Sequence, residues 1–222
     1  MDYPVPRVFK DSLNVPEKSL FGAGPSNYAE RIQKAMCKPN LGHLHPETLK
    51  IMDDVKEGLK YLFQTVNPLT FALSASGHGG MDAAFTNLIE DGDVVLVASS
   101  GLWGERAADM ARRHGGDVRI LNGKPGVIIT LEQVREFMEI HKPVVFFLTH
   151  GESSTCVLQP LEGFGDLCRS YNCLFLVDTV ITLGAVPVNV DKMKIDVAYS
   201  GSQKALNASP GITPITFGVR AL

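Results

Sequence analysis

The chain has 222 residues, of which 45% are hydrophobic and 20% charged, with a net charge of −3 at pH 7. That size and apolar content fit one large globular domain, or a domain carrying an extended arm. The charge balance gives a nucleic-acid partner no electrostatic support, and no apolar run is long enough to span a bilayer. The start, Met1 to Pro6, has neither the basic-then-apolar order of a signal peptide nor an arginine-rich amphipathic pattern. These features point to an intracellular soluble protein. Cys37, Cys156, Cys168 and Cys173 are scattered without a C-x-x-C pair, which favours buried free thiols over disulfides or zinc. His43 and His45 lack a third ligand nearby, so no metal site is expected.

Residues 1–20 hold prolines at 4, 6 and 16 and no sustained period, and read as an extended arm. Residues 20–27 form a turn rich in glycine and proline, with Ser26 or Asn27 placed to cap the next helix. Gly22-Ala23-Gly24 lacks the third glycine of a dinucleotide fingerprint, and a Rossmann reading fails. Leu49, Met52, Val55, Leu59 and Leu62 recur at helical spacing, predicting a helix from Pro46 to about Gln64. A strand over 71–76 follows, then a glycine break at 77–80, then a helix from Met81 to Ile89. Such a strand-to-helix turn offers free N–H groups and a positive dipole end to a phosphate, although it is no Walker motif.

Strands are predicted at 94–98, 118–121, 144–149, 174–178 and from 197, and helices at 105–114, 130–141 with Thr130 as cap, and 161–171. Short apolar strands alternating with helices make an α/β domain with a mainly parallel sheet covered on both faces. Polar clusters fall at the strand C-termini, where such sheets bind ligands. Asp178 ends one strand and Lys204 lies just past another. An amine nucleophile and an acid to hold a ring nitrogen protonated are the groups that pyridoxal phosphate requires. The only tryptophan, Trp103, stands at a strand-to-helix junction, where it could lie flat on a planar ligand or anchor the core.

Taken in order, Ser76-Gly77-His78, Trp103, His150-Gly151-Glu152-Ser153-Ser154, Val177-Asp178-Thr179-Val180 and Ser200-Gly201-Ser202-Gln203-Lys204 resemble the fold-type I pyridoxal-phosphate aminotransferases. Within these, the chain is similar to the alanine–glyoxylate and serine–pyruvate aminotransferase family from about Val15 to Leu222. The resemblance implies that Lys204 forms a Schiff base with pyridoxal 5'-phosphate and moves the Cα proton, while Asp178 pairs with the pyridine nitrogen. It implies that Trp103 stacks on the ring, Val180 packs on its other face and Ser153 bonds its hydroxyl side. Ser76, Gly77, His78 and Gln203 would cradle the phosphate and ring edge, and the loop holding Gly24 would meet the substrate carboxylate.

The implied reaction passes an amino group from alanine or serine to glyoxylate or pyruvate. Gly42 and His43 match the glyoxylate-type branch better than the related hydroxykynurenine transaminases, which stay as an alternative. Family members continue beyond the equivalent of Leu222 with a small C-terminal domain carrying the arginine that clamps the substrate carboxylate. Residues 21–222 are therefore read as an incomplete cofactor-binding large domain, and a non-catalytic cofactor-binding or dimer-interaction fragment is the other reading. The resemblance further implies a homodimer acting on amino acids and 2-oxo acids. It implies a peroxisomal location and leaves the cytoplasm and mitochondria open, because Arg220-Ala221-Leu222 is not a Ser-Lys-Leu-like terminus.

Overall fold

The computed structural model describes residues 4–10 and 12–222, so Met1 to Tyr3 and Asp11 of the expected arm lie outside the described residues. The described residues up to Leu20 are all exposed. The chain then runs through α1 (Glu30–Met36), α2 (Pro46–Phe63), β1 (Leu69–Leu73), α3 (Gly77–Leu88), β2 (Val94–Ser99), α4 (Leu102–Arg113), β3 (Asp117–Asn122) and α5 (Leu131–His141). It continues through β4 (Val145–Thr149), β5 (Gly151–Glu152), β6 (Val157–Leu158), α6 (Phe164–Ser170), β7 (Leu174–Asp178), β8 (Val197–Tyr199) and β9 (Thr213–Phe217).

Seven strands form one sheet in the order β1-β9-β8-β7-β4-β2-β3. Strands β3, β2, β4, β7 and β8 run parallel to one another, while β9 runs antiparallel to both β8 and β1. This is the mainly parallel, doubly covered sheet that the sequence predicts. Every residue of β4 is buried because both faces are packed. Val145 and Phe147 face α3 and α4 with Met81, Phe85 and Ala107, whereas Phe146 and Leu148 face the other helical layer with Leu59, Val134 and Phe164. Phe146 stacks on Phe175 of β7 with ring centroids 5.6 Å apart. Thr130 caps α5 in a full capping box with Gln133, as its position implies.

Several boundaries differ from the sequence reading. Helix α3 begins at Gly77 rather than Met81, so the glycine run is its first turn and not a break before it. Helix α4 begins at Leu102, three residues early, because Glu152 and Ser154 from another part of the chain supply its cap. Helix α6 is shorter than predicted, starting after Gly163, whose φ of +85° no helix accommodates. Ser26 and Asn27 do not cap α1, whose N-cap is Ala29; they reach the Lys204 loop and the Lys18–Leu20 backbone instead. Of the four free cysteines, Cys168 and Cys173 are buried, but Cys37 and Cys156 are exposed. No helix among the described residues is long and apolar enough to cross a membrane.

Candidate active site

A cavity of about 200 Å³ opens where β7 and β8 end, between the N-termini of α3 and α4. Eight residues singled out from the sequence line it: Ser76, Gly77, His78, Trp103, Asp178, Val180, Gln203 and Lys204. Their convergence follows from the parallel sheet, which delivers successive strand ends to one edge.

Asp178 ends β7 and is almost fully buried. Its Oδ1 accepts from the Val180 N–H at 2.8 Å, and its Oδ2 accepts from the Tyr199 hydroxyl at 2.7 Å. Burial pushes its pKa up to about 6, with the charge of Glu152 adding to the rise and the two hydrogen bonds opposing it. Burial, then the charge of Asp178, pushes the Tyr199 phenol well above its usual range, so Tyr199 remains a donor. Behind them, His150 donates its backbone N–H to the Asp178 carbonyl and pairs Nδ1 with Thr182 Oγ1 at 2.9 Å. Burial pulls the His150 imidazole down to about 4, which keeps this support neutral.

Helix α3 starts at the cavity with no side-chain cap: Ser76 is its N-cap, and its hydroxyl accepts nothing from the helix. The first N–H groups of a 12-residue helix thus stay open toward an anion, with its dipole aligned to favour negative charge. A Cβ on Gly77 would come within 3.0 Å of Val180 Cγ2, so only glycine lets these two walls approach freely. Gln203 Oε1 is buried without a hydrogen-bond partner among the described residues. Lys204 donates from Nζ to the Ala23 carbonyl at 2.6 Å. Gly24 lies against its stem, where an added Cβ would sit 2.5 Å from Lys204 Cδ.

Residues 25–221 match the family described as aminotransferase class-V. The chain belongs to that family. The alanine–glyoxylate aminotransferase of Drosophila melanogaster is 51% identical over 223 aligned positions, which cover 100% of this chain and 57% of that relative. The enzyme of the same name from Rattus norvegicus is 51% identical, over 98% of this chain and 53% of its own length. A crystal structure of alanine–glyoxylate aminotransferase from Nostoc sp. matches with a TM-score of 0.94 at 45% identity, covering 95% of this chain and 56% of that one. The chain therefore spans about half the length of the curated relatives it matches.

In this class-V aminotransferase chain two predicted residues stand just off the cavity lining. Ser153 accepts from the Trp103 indole Nε1 at 2.8 Å, and Gly24 is held behind Lys204. Gly42 and His43 do not line the cavity; Gly42 N–H bonds His45 Nδ1 and closes the loop before α2. The sequence reading assigned no role to Tyr199, Glu152, Met81, Arg106 or Ile181. Arg106 had a usable signal, since it lies one turn after Trp103 on the same helix. Tyr199 had none, because only the β7–β8 register sets it opposite Asp178.

Glu152 gives Trp103 its fixed place. Its Oε2 accepts the Trp103 backbone N–H at 3.0 Å, while Oε1 accepts from the N–H and hydroxyl of Ser154 at 2.9 and 2.5 Å. Glu152→Gln puts an amide donor against one of these donors and is expected to cost about 1–3 kcal/mol. Since Trp103 is the single tryptophan, acrylamide quenching of its fluorescence checks the local effect directly. Quenching should rise in the variant; unchanged quenching would show that the Glu152 bond to the Trp103 backbone does not set the place of the indole.

Proposed function

We propose that this chain binds pyridoxal 5'-phosphate and forms the cofactor-binding half of an aminotransferase that passes amino groups from alanine or serine to glyoxylate or pyruvate. The observation carrying this reading is the convergence of an amine, a buried acid, an aromatic lid and an open helix N-terminus on one cavity. The residues present fit the group. The uncapped start of α3 suits a phosphate, and the unpartnered Gln203 Oε1 offers an acceptor at the cavity wall. Family membership and the names of the two half-covered relatives support the reaction type.

When bound, the cofactor supplies an electron sink for the bonds at the substrate Cα. Lys204 would hold it through Nζ and carry the proton to and from that Cα. Asp178 would hold a proton at the ring nitrogen. With a pKa of about 6, it is mostly ionised at neutral pH, and Tyr199 and Val180 aim it while leaving it lone pairs to spare. Trp103, braced by Glu152 and Ser153, would cover one ring face and Val180 the other, keeping water from both. Gly77, His78 and Gln203, with Ser76, would hold the phosphate.

Borohydride reduction of the chain mixed with pyridoxal phosphate, followed by peptide mass spectrometry, tests the binding step. The expected adduct sits on Lys204 and is lost in Lys204→Ala; an adduct spread over surface lysines would overturn the assignment. Stopped-flow absorbance on adding alanine and then glyoxylate tests turnover. Capture at Lys204 without exchange of amino groups would mark a cofactor-binding module.

A further inference from the structure

Lys204 lies on a turn whose far end is Asn207. The Asn207 N–H closes the turn onto the Lys204 carbonyl at 3.0 Å, and its φ of +60° is a left-handed conformation that asparagine tolerates better than most residues. Its side chain points away from this turn to a segment about 180 residues earlier. Nδ2 donates to Ser26 Oγ at 2.9 Å and to the Asn27 carbonyl at 2.6 Å, and Oδ1 accepts from the Ala29 N–H at 2.7 Å. The amide N–H groups and the carbonyl oxygen of Asn207 are thereby committed to one short segment, residues 26–29. Ser26 completes the tie, donating its N–H to the Gln203 carbonyl and its hydroxyl to the Lys204 carbonyl, each at 3.2 Å.

The consequence reaches the amine. Between Ser26 and Ala23 stand only Gly24 and Pro25, and the proline ring fixes one of the few dihedrals in the link. Where Ser26 is held, the Ala23 carbonyl is held too, and it is this carbonyl that takes Lys204 Nζ. A lysine stem has four rotatable bonds and no direction of its own. We propose that Asn207 is a positioning residue for Lys204, clamping residues 26–29 to the lysine turn so that the Ala23 carbonyl and Gly24 hold Nζ at the cavity. The functional meaning rests on the cofactor reading above; the positioning itself does not.

Asn207→Gly is the variant of choice, since glycine keeps the positive φ without strain while deleting the clamp. Ser26→Ala, which leaves every φ alone, removes the link from the other side and carries the test should the first variant not fold. In the chain without cofactor, acetylation of Lys204 by an amine-selective reagent is followed by mass spectrometry as a ratio to Lys142, an exposed lysine elsewhere in the same molecule. Loss of a hydrogen bond corresponds to a change of about threefold or more, and the ratio should rise by that factor in Asn207→Gly and by less in Ser26→Ala. At half-saturating pyridoxal phosphate, the fraction captured on Lys204 by borohydride should fall by a similar factor.

An asparagine that merely stabilised its turn would lower the melting temperature and leave the acetylation ratio within the wild-type error, which overturns the proposal. If the wild-type chain captures no cofactor while the ratio still rises in the variants, the positioning stands and the cofactor reading fails. If capture occurs and neither quantity moves, positioning fails alone.

Discussion

Asp178→Asn is expected to make the cofactor-free chain more stable at pH 8 and to impair its function. The folded carboxyl titrates at about 6 against an ordinary 3.8, chiefly because burial penalises its charge. The folded state therefore keeps the proton longer than the unfolded one. The stability contributed by Asp178 is fully present below about pH 4 and is lost as the pH rises through 6. A displacement from 3.8 to about 6 corresponds to roughly 3 kcal/mol at high pH, of which the lost acceptor for Tyr199 takes back about 1 kcal/mol. A net gain of about 1–2 kcal/mol at pH 8, reversing to a loss of up to about 1 kcal/mol below pH 4, is the expected difference between variant and wild type in denaturant melts. The same substitution removes the acid that would keep the ring nitrogen protonated. The proposed exchange of amino groups should fall about a hundred- to a thousandfold, the usual loss when one buried charge stabiliser is deleted. No gain at pH 8, or exchange within tenfold of wild type, would remove Asp178 from the role given to it. A gain in stability together with the loss of exchange would show a conformational cost retained at a functional site.

A pair of identical substitutions carries the second large effect, with opposite signs. In Gly80→Ala the new Cβ would lie 2.3 Å from Thr213 Cγ2 and 3.3 Å from Tyr199 Cβ, and both neighbours are rigid, fully buried residues of the sheet. Helix α3 must move outward, at a cost of about 1–3 kcal/mol or a melting temperature lower by roughly 2–12 °C. Because the helix start is the proposed phosphate cradle and Tyr199 aims Asp178, affinity for pyridoxal phosphate should fall along with stability. Gly58→Ala, in the middle of α2, meets nothing within 4 Å. It should raise stability by about 0.5–1 kcal/mol, since glycine inside a helix is a conformational cost. Calorimetry of the two variants side by side separates helix propensity from packing. Destabilisation by both would mean that backbone freedom, and not the Thr213 contact, sets the effect.

The sequence by itself determined most strands of a mainly parallel sheet and most of the residues that line the cavity. Runs such as Val94 to Ala98 and Val144 to Leu148 are legible because a strand covered on both faces has no polar side to show. The polar residue closing each run, Asp178 above all, is legible because the sheet's chemistry collects at strand ends. Lys204, Trp103 and the Ser76–His78 turn are legible as motifs, and they line one cavity. The tertiary structure alone decided what fixes those groups. Local propensity reads Gly77 to Gly80 as a break, yet packing of α3 against β8 and β9 makes the run a helical turn. Tyr199 meets Asp178 through the register of two strands, and Glu152 caps a helix that begins 50 residues before it. Asn207 and Ala23 hold the Lys204 turn and its amine across about 180 residues of chain. Hydrogen bonds between distant segments leave no period and no spacing in a sequence, because each partner is chosen by where the fold has already brought it.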